Sequence, residues 1–98
     1  MSVYHVTRGW SLAEKLEFYS MPEPNTGCQI WTARSDPKGY GRLWWGGREQ
    51  AAHRLSWTEV NGPIPDGLDV LHKCDLPSCI RPEHLFLGTQ LTNFLDMM

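Results

Sequence analysis

Residues 72–84 read His-Lys-Cys-Asp-Leu-Pro-Ser-Cys-Ile-Arg-Pro-Glu-His, and no other stretch limits the fold as severely. Two prolines keep the segment out of a helix interior or a central strand, so it lacks a regular ladder of its own. Thiolate and imidazole are the ligands tetrahedral zinc takes, and a closed structural site wants four. Cys74, Cys79 and His84 follow at five-residue steps, and Cys28 is the one cysteine left in the chain. Cys28, Cys74, Cys79 and His84 together would make a Cys3His site that ties this loop to the first strand. His72 competes with Cys28 for the fourth position, because strand alternation puts His72 and Cys74 on the same side. If Cys28 ligates, His72 is left as a free imidazole, a group that titrates near neutrality and suits proton abstraction from water. The plainer alternative is a set of small buried thiols, since free cysteine often packs as a hydrophobe.

The chain has 98 residues and three cysteines. That length is one domain, for which a structural metal would be a useful staple. The N-terminus, Met-Ser-Val-Tyr-His-Val-Thr, has no apolar h-region, which points to a cytoplasmic setting with reduced thiols. No run of eighteen apolar residues is present, so no membrane span is expected. The net charge is −2, unevenly spread. Between residues 34 and 54 five basic residues (Arg34, Lys38, Arg42, Arg48, Arg54) outnumber two acidic ones, giving +3 against −5 for the remainder. A basic segment in an acidic chain suits either a solvated hairpin or a phosphate-facing one.

Local signals give an α+β order. Ser11 and Glu14 form a capping box ahead of Leu12, Leu16 and Tyr19, which fall on one helical face. Residues 22–27, Pro-Glu-Pro-Asn-Thr-Gly, read as a linker. A strand is expected over 28–34 and a second running back over 40–45, and Gly46-Gly47 is a dipeptide that closes tight hairpins. A short buried helix follows, carrying Leu55 and Trp57 and ending at Asn61-Gly62. The order then becomes strand (Asp69–Cys74), irregular loop, strand (84–89) and a final helix bearing Asn93. Five tryptophans are many for this length, and most are expected in the core. The domain divides into an N-terminal helix and linker (1–24), a basic hairpin and helix (28–61), and a C-terminal ββα unit (68–98).

The series His72, Cys74, Cys79, His84 and Asn93, preceded by Gly-Cys-Gln-Ile-Trp-Thr, Gly-Tyr-Gly-Arg-Leu-Trp-Trp and Ala-His-Arg-Leu-Ser-Trp, resembles the ββα-metal nucleases. It is most similar to the His–Cys box homing endonucleases and the small phage HNH endonucleases. The resemblance implies a small zinc-stabilised α+β domain with a C-terminal ββα-metal motif. It implies His72 as general base and Cys28, Cys74, Cys79 and His84 on structural Zn2+. Asn93, which alone would read as a solvent-facing helical residue, would hold a catalytic Mg2+ or Mn2+. Arg42 would steady the cleaved phosphate, with Arg54 in reserve. Two positions depart from the HNH pattern: Leu71 stands where a second metal ligand often precedes the base, and Arg81 replaces the middle asparagine.

The function implied is metal-dependent hydrolysis of DNA phosphodiesters in a phage or mobile-element setting. A monomer would nick one strand and a homodimer would cut both. Arg34, Lys38, Arg42, Arg48, Arg54 and Arg81 are the candidate DNA contacts. Two other classes compete: a non-catalytic zinc-stabilised nucleic-acid-binding module, and a protein-interaction domain that uses exposed tryptophans.

Overall fold

Ser11 opens helix α1 (Leu12–Phe18) with the capping box its sequence announces. The Glu14 backbone N–H donates to Ser11 Oγ at 3.2 Å, and the Ser11 N–H donates to Glu14 Oε1 at 3.0 Å. Leu12 and Leu16 are buried, Tyr19 packs beside them, and Phe18 turns outward. Lys15 is buried too, with its ammonium 5.4 Å from the centroid of the Trp45 ring. A long aliphatic stem can lie along apolar surface while its charge rests on an aromatic face. The computed structural model describes residues 9–89, so the expected final helix and Asn93 lie outside the described residues.

The expected linker at 22–27 is instead the loop of a hairpin. Strand β1 (Ser20–Pro22) pairs antiparallel with β2 (Gln29–Trp31). Pro22 is tolerated because it ends a short edge strand. Glu23 closes the loop by accepting from the backbone N–H of Asn25 at 3.0 Å and of Thr26 at 2.7 Å, and from the Thr26 hydroxyl at 2.6 Å.

Strands β3 (Arg42–Trp45) and β4 (Arg48–Ala51) form a second hairpin. Its two-residue turn, Gly46-Gly47, has φ of 67° and 85°, the left-handed pair that a tight primed turn demands. The expected pairing of 40–45 along 28–34 is therefore reduced to a single bridge, Ser35 to Gly41. The adjacent reversal gives β3 a nearer partner. Gly41 is fixed by contact: a Cβ there would fall 2.5 Å from Trp31 Cδ1, so the buried indole lies directly on the backbone.

Helix α2 (Ala52–Asn61) follows β4 without a break and ends at Gly62. Strands β5 (Asp69–His72) and β6 (Leu85–Gly88) make the third hairpin, with His72 opposite Leu85. A 3-10 turn, Pro82–His84, leads into β6. The core gathers Leu12 and Leu16 of α1, Trp31 of β2, Ala52 and Leu55 of α2, and Ile80 of the proline-rich loop. Of the five tryptophans Trp31 is fully within it, whereas Trp44 is 55 % exposed. The result is the small α+β arrangement of antiparallel hairpins expected from sequence.

Candidate active site and metal centre

Backbone pairing brings the two halves of the Cys/His cluster together. The Ile80 N–H donates to the Gln29 carbonyl at 2.8 Å, and the Trp31 N–H donates to the Ser78 carbonyl at 2.8 Å. This lays the loop against β2 as an extra antiparallel bridge, Ile30 to Cys79. Arg81 adds a stitch by donating through Nη1 to the Gly27 carbonyl at 2.7 Å. On the other side the Lys73 N–H donates to the His84 carbonyl at 2.7 Å, prolonging the β5–β6 ladder to the mouth of the loop.

Cys28, Cys74, Cys79 and His84 converge there, each offering one ligand atom, all within 4.8 Å of one another. His84 Nδ1 lies 3.5 Å from both Cys28 Sγ and Cys79 Sγ. Bonds of about 2.0–2.3 Å in a tetrahedron separate ligand atoms by roughly 3.5–3.8 Å. The spacing and the donor set are compatible with tetrahedral zinc. Burial pushes the Cys79 thiol up to about 12, so a cation must enter for that sulfur to become thiolate at neutral pH.

His72 is not in this cluster. The alternation that would have carried His72 and Cys74 to one side stops at His72, where β5 ends and the chain bends into Lys73 and Cys74. Asp75 then takes a left-handed conformation, φ 58°. Cys74 turns to the other thiols, and His72 Nε2 sits 2.9 Å from the Cys79 carbonyl oxygen. A carbonyl only accepts, so Nε2 carries the hydrogen and a neutral His72 keeps its lone pair on Nδ1. Burial lowers the His72 pKa, partly offset by the Cys79 carbonyl and by Asp75, so the ring is neutral at ordinary pH.

Two further rings surround it. The His53 ring centroid is 4.8 Å from that of His72, Tyr40 is 5.8 Å from His72, and Tyr40 and His53 are 5.4 Å apart. Tyr40 and His53 also line a cleft of about 400 Å³ that carries Lys38, Arg42 and Arg54 on its walls, with Asp36 and Asp69. His53 hydrogen-bonds to the Val70 backbone, and burial, first, with His72 nearby, pushes its pKa down to about 4. In the sequence this helix is marked by Leu55 and Trp57, and His53 carries no functional signal of its own. A histidine in the first turn of an apolar helix reads as core packing, and only its pairing with His72 in space distinguishes it.

The expected phosphate-facing cations are spread unevenly. Glu49 pairs with both Arg34, at 2.8 Å, and Arg42, at 3.5 Å. Arg54 contacts Asp69 at 3.3 Å and Arg81 contacts Glu83 at 3.3 Å. Exposed or half-exposed pairs of this kind are worth about 0–1 kcal/mol each, so an anion can replace any of these three carboxylates at small cost. Lys38, Arg42 and Arg54 reach the cleft; Arg34 and Arg81 are not among its lining residues, and Arg48 lines a separate, smaller depression together with Arg54.

A family profile for HNH endonucleases matches residues 50–94, which takes in α2, the β5–β6 hairpin and three of the four clustered ligands. Protein 7.7 of Escherichia phage T7 is 44 % identical over 71 residues, covering 72 % of this chain and 55 % of that protein. Protein 2.8 of the same phage is 40 % identical over 76 residues, covering 76 % of this chain and 51 % of its own length. The chain thus spans about half the length of these two relatives. An uncharacterized gene 5.3 protein of Enterobacteria phage T3 is 34 % identical over 77 residues, 71 % of this chain and 73 % of that protein. No solved structure matches. With a Cys3His cluster joining Cys28 to the proline-rich loop, a histidine beside it on β5 and these phage relatives, the chain belongs to the HNH endonuclease family.

Proposed function

We propose that this chain is a metal-dependent DNA endonuclease, with residues 1–98 acting as one nuclease domain that hydrolyses phosphodiester bonds. The observation that carries the reading is the hydrogen bond from His72 Nε2 to the Cys79 carbonyl, which leaves Nδ1 as the basic nitrogen. A loop clamped by zinc then holds in place the carbonyl that sets the tautomer of the base. His72 takes a proton from water at Nδ1 as the water oxygen bonds to phosphorus. The bond from phosphorus to the leaving 3′ oxygen breaks on the opposite side.

Arg42, on β3 and half-buried in the cleft wall, supplies a fixed positive charge to the phosphorane oxygens. Asn93 is the candidate ligand for the second metal, an amide oxygen being a hard donor suited to magnesium. A divalent ion bound there would supply charge to the scissile phosphate and leaving oxygen. Cys28, Cys74, Cys79 and His84 hold structural zinc, and Lys38, Arg34, Arg48, Arg54 and Arg81 are the further DNA contacts. Phage DNA in the host cytoplasm is the setting that the relatives suggest.

The test is a plasmid-nicking assay on zinc-loaded protein with Mg2+ or Mn2+. Cleavage that depends on the divalent ion and vanishes in His72→Ala, with zinc retained, supports the reading. Zinc loss in His72→Ala, or salt-sensitive DNA binding without cleavage in any divalent metal, would replace it with a binding module.

A further inference from the structure

A single hydrogen bond fixes where the His72 ring is anchored but not the plane in which it lies. A base that must meet a water in line with a phosphate needs both, since reactive geometry tolerates little error. What remains to fix the plane is packing, and the two rings that supply it are Tyr40 and His53, in a triangle of centroids 4.8, 5.4 and 5.8 Å on a side.

His53 is the better buttress of the two. It sits on the first turn of α2, is 9 % exposed, and belongs to an element seated in the core through Ala52, Leu55 and Ser56. The Ser56 hydroxyl donates to the carbonyl of Ile80, next to Cys79. The ring of His53 is tied in turn to the backbone of Val70, two residues before His72 on β5. Its Nδ1 is buried and has no hydrogen-bond partner among the described residues. His53 therefore grips the strand that carries His72 and touches the His72 ring at 4.8 Å, with 37° between the planes.

We propose that His53 is a positioning residue for the hydrolysis: its ring, seated on α2 and tied to β5, sets the plane of the His72 imidazole and so the direction of Nδ1. The proposal rests on the nuclease reading. It also gives a reason for a histidine at a site that is sterically suited to any flat ring: its N–H can donate to the Val70 backbone, which phenylalanine cannot do. Buried and neutral, His53 offers that donor without placing a second charge beside the base.

Three substitutions separate the parts. His53→Ala removes the ring and the donor, His53→Gln keeps an amide N–H for Val70 without the ring, and His53→Phe keeps the ring without the donor. Cleavage is measured on the zinc-loaded full chain with Mg2+ and a DNA duplex, together with zinc content, the melting temperature and the 15N and 1H resonances of the His72 ring. We expect His53→Ala and His53→Gln to lower kcat by ten- to a hundred-fold with KM changed less than two-fold and zinc retained. His53→Phe should recover kcat to within about three-fold of the parent although it melts lower, and the His72 signals should shift or broaden in Ala and Gln but not in Phe. Unchanged kcat and unchanged His72 signals in His53→Ala overturn the proposal. So does an equal loss in all three variants in step with the melting temperature, which would make His53 a core residue only. If the parent chain cuts no DNA, the nuclease reading fails by itself, and the His72 resonances still decide whether His53 orients that ring.

Discussion

His72 and Cys74 are two residues apart and face different neighbours, and the cause is a single interruption of the backbone. Strand β5 ends at His72 and Asp75 reverses at φ 58°, so one side chain turns toward His53 and the other toward the thiols. Two predictions belong at this scale. Because burial holds the His72 pKa below the usual histidine value, the basic form is already dominant at neutral pH. The rate of cleavage should be flat through neutrality and fall only as pH drops through a midpoint below about 6.5, as a pH–rate profile at saturating Mg2+ would show. Glu49, shared by Arg34 and Arg42, competes with phosphate for both guanidinium groups. Glu49→Gln should tighten DNA binding by roughly two- to five-fold at low salt, the scale of one or two weak pairs, and steepen the salt dependence measured by fluorescence anisotropy.

At the scale of elements, helix α2 is held in place by groups that sequence patterning does not reveal. Its contact with β5 runs through His53, whose folded pKa of about 4 lies below the ordinary 6.5. The unfolded chain binds that proton more readily, so stability is full above about pH 6.5 and is lost as pH falls toward 4. A shift of that size corresponds to about 3 kcal/mol. Chemical denaturation across this window should show the loss, and His53→Phe should flatten it. Gly41 offers a second check: Gly41→Ala drives a methyl into the Trp31 ring and should destabilise the chain by about 1–3 kcal/mol, read as an earlier denaturation midpoint. Local signals were legible where the chemistry is local. Ser11 with Glu14, Gly46-Gly47 and Asn61-Gly62 each stand where a cap or turn demands them. Strand β1 was not, because Pro22 and Pro24 read as breakers, and its pairing depends on β2, brought back by Glu23. Nor was the escape of Trp44 from the core, since a burial count cannot tell which face of a hairpin meets the body.

At the scale of the molecule, three two-stranded sheets and two short helices among the described residues surround a core of few large side chains. An isolated hairpin is marginal in water, so a metal that joins β2 to the loop between β5 and β6 is expected to govern stability. Removing zinc with a chelator, or Cys28→Ser, should unfold the domain in one transition well below the parent's melting temperature, whereas His72→Ala should leave that temperature within a few degrees. Calorimetry with zinc quantification would read both. The spacing of Cys74, Cys79 and His84 made the candidate metal cluster legible in the sequence. The cleft remained hidden, since Tyr40, Arg42, His53 and Val70 meet only after folding.

The Cys28–His84 contact spans 56 positions along the polypeptide. A ribosome making this chain must therefore add the whole of the proline-rich segment before the cluster has its last donor. Until then the segment around Cys79 is held only by its backbone pairing with β2, and β5 has no β6 to pair with. On the proposed nuclease reading, a fragment that stops short of His84 would lack the clamp that surrounds the base.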